Sequence, residues 1–271
     1  MEIKILEKDV NHIRFLIKGV ETPIVNALRR IMIAEVPTMA IEDVVIIENS
    51  SPMKDETLAH RLGLIPLKTD LDSYILPAIC SCQSDLGCNK CSVTFTLDAE
   101  TTDSPRTVYS KELKSDDLEI VPYSGDIPLL KLASGQKVRL EAYAKLGRGT
   151  THAKWQPVSA CTYRHSPTVR IDIEKCDLCE KCIKSCTKQI LKKENKKIVL
   201  VNSDICDLCE ECIKSCPTEG IQINKQVYIF KIESVGSLTP ERIVIEAVKI
   251  LNTKLDTIIS QVSSFKKEKT V

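Results

Sequence analysis

The chain has 271 residues, more than one typical domain, which predicts two or three domains. Its 38 Lys and Arg residues nearly balance its 37 Asp and Glu residues, so the formal net charge is only +1. A protein that binds nucleic acid by itself usually carries a basic stripe, and the charge balance shows no such excess. We therefore expect no direct, high-affinity binding of nucleic acid.

The sequence contains no run of about 20 apolar residues, the length that a membrane-spanning helix needs. Charged residues also interrupt the N-terminal segment where a signal peptide would have its apolar core. We therefore expect a cytoplasmic protein without membrane association. In that compartment the thirteen cysteines point to metal binding before disulfides, with proteins of hyperthermophiles as the known exception.

The first 37 residues predict a β-hairpin followed by a helix. Apolar and polar residues alternate around residues 3–5 and 13–17, which is typical of strands. Thr22 is a suitable N-cap for the helix, and Pro37 ends it by removing Val36 from the helical region. The helix carries one apolar stripe, formed by Ile24, Leu28 and Ile31.

A short strand at residues 43–48 and a second helix follow. Asp55 can cap this helix, which places Leu58 and Leu62 on one face. Gly63 is suited to end it in a left-handed conformation. From the residues alone, this is a helix–strand–helix piece that could simply pack its own core.

The segments NALRRIMIAEVPTMAIEDVVIIENSS (26–51) and DETLAHRLGLIPL (55–67) together resemble the signature of the alpha-like assembly subunits of cellular RNA polymerases. The resemblance implies that the arginine-bearing helix builds a dimerisation domain and faces a large catalytic subunit. Arg29 and Arg30 are then interface residues. The AHRLGLIPL segment is expected to lie in an inserted domain.

Between residues 69 and 164 alternating segments such as 93–97 and 138–146 predict mostly β structure. The sequence HAKWQP at residues 152–157 is similar to an HAKW-x-P element of the same polymerase family, in an independent part of the chain. We expect His152 to be a structural or contact residue and not a catalytic one. Cys161, in an apolar strand, is expected to be a buried small hydrophobe.

Four cysteines lie within twelve residues, with a spacing that suits a structural zinc site: Cys80, Cys82, Cys88 and Cys91. Related polymerase subunits carry zinc on a similar loop, as the resemblance implies. The alternative is two disulfides.

A second cysteine spacing, C-x2-C-x2-C-x3-C, occurs at residues 176–186 and again at residues 206–216. It is typical of bacterial two-cluster ferredoxins, in which each fourth cysteine ligates the other cluster. The crossed arrangement assigns one [4Fe–4S] cluster to Cys176, Cys179, Cys182 and Cys216, and the other to Cys206, Cys209, Cys212 and Cys186.

The number of clusters stays open, because Thr187 replaces the proline expected after the first group. Members of the polymerase family keep two clusters, one or none. If only one remains, the resemblance favours the Cys206, Cys209 and Cys212 triplet. Without Cys186 that triplet would hold a [3Fe–4S] cluster.

The last helix carries the most regular apolar pattern of the chain, a heptad seam formed by Val244, Val248, Leu251, Leu255, Ile258 and Val262. Residues 240–262 would form a rod of roughly 35 Å. A seam of this length exceeds what a small domain can cover by itself. We therefore expect the helix to pack against a partner subunit, with an ordinary core helix as the alternative.

Together these features predict an α+β protein of the archaeal-type alpha-like family. The resemblance implies that residues 1–38 and 225–271 form a discontinuous dimerisation domain, with 39–165 as an inserted mostly-β domain and 166–224 as a ferredoxin-like module. The expected partners are a small alpha-like subunit and the two large catalytic subunits. Since the sequence offers no carboxylate triplet for catalytic Mg²⁺, we expect a non-catalytic part of a nucleotidyltransferase.

A second hypothesis is an electron-transfer subunit of an oxidoreductase. It explains residues 166–224 but not residues 22–67 or 152–157.

Overall fold

The structure is a computed structural model that describes residues 1–82, 84–166, 168–195, 197–201, 205–224 and 226–268. The helices are α1 (Thr22–Ala34), α2 (Asp55–Gly63), α3 (Lys181–Ser185), α4 (Glu211–Lys214) and α5 (Pro240–Glu268). The strands are β1 (Glu2–Lys8), β2 (His12–Lys18), β3 (Thr38–Asn49), β4 (Ser92–Glu100), β5 (Arg106–Tyr109), β6 (Lys114–Ser115), β7 (Pro128–Leu132), β8 (Lys137–Gly147), β9 (Val158–His165), β10 (Thr168–Ile171), β11 (Leu191–Glu194), β12 (Lys197–Leu200), β13 (Ile221–Asn224) and β14 (Val227–Ser234). The expected α+β class is confirmed.

The chain divides into two compact units. One consists of Met1–Asn26 with Cys161–Ile232, and the other of Ala27–Ala160 with Glu233–Val271.

A four-stranded sheet in the order β1-β2-β14-β9 dominates the first unit. The predicted hairpin is confirmed, since β1 and β2 pair antiparallel with Ile3 opposite Ile17. The ring of Phe15 stacks on that of Phe230 at 5.2 Å between centroids, so β14 shares its core face with β2. Strands from the beginning and the end of the chain therefore lie in one sheet.

The second unit contains a sheet in the order β3-β8-β4-β6. The inward residues of its strands form one large core, on which Leu58 and Leu62 of α2 pack without any exposure. Strand β3 is longer than the predicted strand at 43–48. Residues 38–41 join it because they are buried and pair with the end of β8.

Three local predictions about helix ends were wrong. The Thr22 hydroxyl lies 2.7 Å from the Tyr228 hydroxyl and belongs to the first helical residue. Asp55 also lies inside its helix, whose N-cap is Lys54, and its carboxylate accepts a bond from the Asn49 amide. Gly63 is still helical and is not among the glycines with positive φ. The Thr22 and Asp55 side chains interact with other parts of the chain instead of capping their helices, and Leu64 takes the C-cap position of α2.

Candidate metal centres and partner surface

The four cysteines between residues 80 and 91 form a compact cluster that could hold a metal ion. Their sulfur atoms all lie within 4.8 Å of one another. The Cys80–Cys88 and Cys82–Cys91 sulfur pairs are both 3.7 Å apart, and Cys88–Cys91 is 3.8 Å. A tetrahedral thiolate site with metal–sulfur bonds of about 2.3 Å has sulfur–sulfur edges of about 3.8 Å. Three of the six sulfur–sulfur distances therefore match the edge length of such a tetrahedron.

These thiols differ in how readily they lose a proton. The backbone N–H of Lys90 holds the pKa of Cys88 down to about 7, whereas burial raises the pKa of Cys91 to about 12. Four adjacent thiolates would repel one another strongly without a cation. A divalent ion supplies that positive charge and displaces the protons. All four cysteines are free thiols in the described chain, so the structure contains neither of the two alternative disulfides.

The cysteine loop is held by its own backbone and by the adjacent sheet. Gly87 has φ +88°, and a Cβ at this position would lie 2.6 Å from the Ser92 Cβ and 3.2 Å from the Cys91 sulfur. Only glycine fits this turn without displacing a ligand sulfur. Lys145 on β8 binds the Asp85 carbonyl at 2.5 Å and the Asp43 carboxylate at 2.6 Å, which fixes the loop to its sheet.

The module at residues 168–224 has an internal structural repeat, as its sequence does. Strand β10 pairs with β13, and β11 pairs with β12. Leu178 and Leu208 take the same left-handed conformation, with φ of 58° and 61°. The hydroxyl oxygens of Ser185 and Ser215 lie 2.8 Å apart, so equivalent residues after the two cysteine triplets meet.

Two separate cavities in this module are each lined by four cysteines. One contains Cys176, Cys179, Cys182 and Cys216. The other contains Cys186, Cys206, Cys209 and Cys212. Each cavity therefore combines one triplet with the fourth cysteine of the other repeat, the same grouping that the spacing predicts. Apolar side chains, among them Ile198 and Ile221 in the first and Ile190 and Ile223 in the second, complete the walls.

The residues present fit iron–sulfur clusters in chemistry as well as in grouping. Burial raises the pKa of Cys182 and Cys212, and the other cysteines of the same cavity raise it further. Such thiols stay protonated at neutral pH unless a metal binds them as thiolates. A cluster would have this effect, and the apolar walls would limit solvent access to it.

The HAKW element at residues 152–155 is a structural anchor within the second unit. The Trp155 indole donates to the Lys145 carbonyl at 3.1 Å, and Lys154 binds the Ile41 carbonyl at 3.0 Å and the Glu42 carboxylate. His152 accepts a bond from the Lys154 backbone through Nδ1 at 3.1 Å. This bond agrees with the structural role expected of His152. Cys161 is buried, as predicted.

The predicted partner residues lie on α1 and α5. Arg30 is exposed, whereas Arg29 is partly buried. Of the predicted apolar stripe, Ile31 is buried but Ile24 is 48% exposed, and Val25 and Met32 are buried as well.

Between residues 240 and 264 of α5, the buried residues are Pro240, Ile243 and Ala247. Four residues of the heptad seam remain between 40% and 56% exposed, namely Val248, Leu255, Ile258 and Val262. Val244 and Leu251 are partly covered. From residue 252 to 264 every residue of α5 is exposed. Much of the seam therefore lies open in the isolated chain.

The residues that support these sites were not predicted from the sequence. Gly87 could have been noticed as the only glycine inside the cysteine loop, although its conformation could not. Ser185 and Ser215 occupy equivalent repeat positions, which was a usable signal. The exposed isoleucines Ile3 and Ile5 of β1, 57% and 58% accessible, follow the alternation already seen in the sequence. Among the described helices none is both long and apolar enough to cross a membrane.

The discontinuous sheet, the inserted cysteine module and the open helical seam are features of a dimerising alpha-like chain. A family model, the RNA polymerase Rpb3/Rpb11 dimerisation domain, matches residues 14–255. The chain is also 42% identical over 269 residues to the DNA-directed RNA polymerase subunit Rpo3 of Methanosphaera stadtmanae, covering 97% of this chain and 99% of that protein.

Two further relatives carry the same description. The subunit of Methanothermobacter thermautotrophicus is 42% identical over 265 residues, covering 96% of this chain and 98% of that protein. The subunit of Pyrococcus furiosus is 39% identical over 263 residues, with 96% and 97% covered. The chain belongs to the family of archaeal RNA polymerase subunits Rpo3, and the resemblance found in its sequence is confirmed.

Proposed function

We propose that the chain is a non-catalytic assembly subunit of a DNA-directed RNA polymerase, in which the complex is the nucleotidyltransferase. It pairs with a small alpha-like subunit, and this heterodimer is the platform for the two large catalytic subunits. Membership of the Rpo3 family, with a dimerisation domain matched over residues 14–255, carries this proposal. Such an enzyme works in the cytoplasm.

The heterodimer interface is formed by the open seam of α5. Leucine, isoleucine and valine side chains that are about half exposed along a helix are typical of a surface that a second helix covers. Leu255, Ile258 and Val262 are 49%, 56% and 54% exposed. Without its partner, the chain is expected to self-associate or to be poorly soluble, because this apolar surface is exposed to solvent. Arg29 and Arg30 of α1 contact the partner subunits, as the family resemblance implies.

The domain division predicted from the sequence is part of this proposal. Residues 1–38 and 225–271 build the dimerisation domain, 39–165 the inserted mostly-β domain and 166–224 the ferredoxin-like module. The position of β14 next to β2 supports the discontinuous domain. The repeated hairpins of residues 168–224 support the module.

The module holds one or two iron–sulfur clusters through the crossed cysteine sets. The two cavities lined by four cysteines support both sites. If only one cluster is kept, we favour the set of Cys206, Cys209, Cys212 and Cys186. A bound cluster supplies folding energy to this small module.

The cysteines between residues 80 and 91 hold a structural zinc ion. Sulfur–sulfur distances of 3.7 and 3.8 Å support a single tetrahedral ion. Four protein ligands close the coordination shell, so the ion has a structural role and leaves no open position for a substrate.

The experiment that tests the function separates an assembly subunit from an electron carrier. The polymerase is assembled with the wild-type chain and with Cys209→Ser, and both the yield of complex and the transcription per complex are measured. An assembly role predicts a lower yield with unchanged transcription per complex, because the cluster stabilises the chain and takes no part in nucleotide transfer. A normal yield with abolished transcription would favour the oxidoreductase-type role of the cluster.

A further inference from the structure

Ser92 is the first residue of β4 and directly follows the last cysteine of the loop. Val93 and Phe95 of β4 are buried in the core, so Ser92 points to the opposite face of the sheet. Lys145 lies opposite Ser92 on the antiparallel strand β8, which places both side chains on this face. The Lys145 ammonium binds the Asp85 carbonyl, so the cysteine loop folds over the same face.

The Ser92 hydroxyl oxygen is buried, yet it has no hydrogen-bond partner among the described residues. The backbone N–H of Ser92 donates to the Cys88 carbonyl at 2.9 Å, so the residue is held against the loop while its hydroxyl is unused. Most buried hydroxyl groups in folded proteins are paired, and an unpaired one destabilises the fold. The Ser92 hydroxyl therefore contributes to stability only if another group binds it.

The cysteine sulfurs are the acceptors next to this hydroxyl. A Cβ placed on Gly87 would lie 3.2 Å from the Cys91 sulfur and 3.4 Å from the Ser92 hydroxyl oxygen, so both atoms border the same small space. Rotation about χ1 moves a serine oxygen by about 2.3 Å between staggered positions, so a change of rotamer can direct the hydroxyl towards that sulfur. A neutral thiol accepts hydrogen bonds weakly, whereas a charged thiolate accepts them strongly.

A bound zinc ion would convert these sulfurs into thiolates whose combined negative charge exceeds that of the ion. Cys91 is only 1% exposed, so water cannot stabilise its sulfur. Backbone groups supply part of the stabilisation, since the N–H of Cys88 donates to the Cys91 sulfur at 3.3 Å and the N–H of Lys90 to the Cys88 sulfur. A hydroxyl donor beside Cys91 would add to this stabilisation.

We propose that Ser92 is a positioning residue of the zinc site, whose hydroxyl donates a hydrogen bond to the Cys91 thiolate when zinc is bound. This inference rests on the zinc site proposed above and adds to it a residue that is not a ligand. The bond favours the thiolate over the thiol and therefore the zinc-bound form over the zinc-free form. Groups in this outer position typically change metal affinity by roughly 10- to 100-fold.

The test measures the zinc affinity of the full-length chain by competition with a chelator. Ser92→Ala should weaken it about tenfold, whereas the control Ser84→Ala should leave it within about twofold. Ser84 lies in the same loop with an exposed side chain, and its carbonyl, which accepts the Gly87 N–H at 3.1 Å, is kept in the control. Cys91→Ser is titrated in parallel, because the zinc that it loses belongs to the loop and not to the cysteines of residues 176–216.

Two further measurements separate this role from a purely structural one. With cobalt in place of zinc, Ser92→Ala should move the thiolate-to-cobalt charge-transfer band to lower energy, because the sulfur loses a donor that stabilises its electrons. In the zinc-free chain, Ser92→Ala should leave the Tm unchanged or raise it, because a buried hydroxyl without a partner is removed. A hydroxyl that supports the fold itself would give the opposite change in Tm.

The proposal is overturned if Ser92→Ala binds zinc as tightly as the wild type, or if Ser84→Ala loses as much affinity. An unchanged cobalt spectrum or a lower Tm of the zinc-free Ser92→Ala chain would overturn it as well. If the wild type binds no more zinc than Cys91→Ser does, the zinc site itself is refuted, and with it the role of Ser92.

Discussion

The open seam of α5 gives the most direct test of the assembly role. We consider the double variant Val248→Asp/Leu255→Asp, which places two carboxylates on the seam. Val248 is 40% and Leu255 49% exposed in the isolated chain. Both substitutions therefore occur at accessible positions, and the stability of the chain alone should change little, by about 0.5 kcal/mol per site.

The effect on the heterodimer should be much larger. Fully burying a valine or leucine side chain contributes about 1.5–3 kcal/mol, so covering the exposed half of each contributes about 1 kcal/mol. An unpaired carboxylate in an apolar contact costs at least about 2 kcal/mol more. The two sites together give a loss of about 6 kcal/mol. This corresponds to an affinity roughly ten-thousand-fold weaker.

The assay is the dissociation constant of the purified chain and a labelled small alpha-like subunit, with size-exclusion chromatography of the co-expressed pair as a second measurement. The control variant Thr253→Asp/Thr257→Asp introduces the same charge on the same helix, but on the face opposite Leu255. It should leave the affinity nearly unchanged. If the Val248→Asp/Leu255→Asp variant co-purifies with the small subunit as well as the wild type does, the seam is not the interface. An equal loss of affinity in the control variant would mean that the added charge alone, and not its position on the seam, weakens the heterodimer.

Two further predictions concern the metals. Protein prepared without oxygen should contain iron and acid-labile sulfide in equal amounts. The variant Cys209→Ser should lower both contents and increase proteolysis within residues 166–224. The control variant Cys161→Ala replaces a buried cysteine outside both cluster sets, so the iron content, the sulfide content and the proteolysis should stay unchanged. Colourless, iron-free protein would contradict the cluster proposal. Zinc affinity should fall as the pH decreases, because zinc must displace the thiol protons. Above pH 7 the affinity should fall by at least about tenfold per pH unit, because the pKa of Cys91 is raised to about 12. Below pH 7 it should fall more steeply, because Cys88, with a pKa of about 7, then also binds a proton. The zinc affinity is measured by competition with a chelator. A zinc affinity that stays constant between pH 6 and 8 would rule out thiolate ligation.

The patterns that repeat along the sequence were the most informative ones. The spacing of the eight cysteines predicts the same two groups of four that line the two cavities. Each short loop brings three thiols together, and the fourth cysteine of each group comes from the other repeat. The heptad pattern marks the helix that remains open, since apolar residues at this spacing must lie on one face. Alternation likewise predicted the β1–β2 hairpin.

Features that depend on distant neighbours could not be predicted. Residues 38–41 extend β3 only because the end of β8 lies beside them. Thr22 looks like a cap in its local sequence, but its hydroxyl contacts Tyr228, more than 200 residues away. Strand β9 lies beside β14, and nothing in the local sequence of residues 158–165 indicates this neighbour.

The order of strands in the β1-β2-β14-β9 sheet has a consequence for synthesis on the ribosome. Ile13, Phe15 and Ile17 of β2 are made early, but their neighbour β14 begins only at Val227. At about 5–20 residues per second, translation of the intervening stretch takes roughly 10–40 s. During that time the apolar face of the β1–β2 hairpin has no permanent cover, whereas β3, β4 and β8 can already pair. The nascent chain is therefore expected to need chaperone protection at its N-terminal hairpin until the last strand emerges.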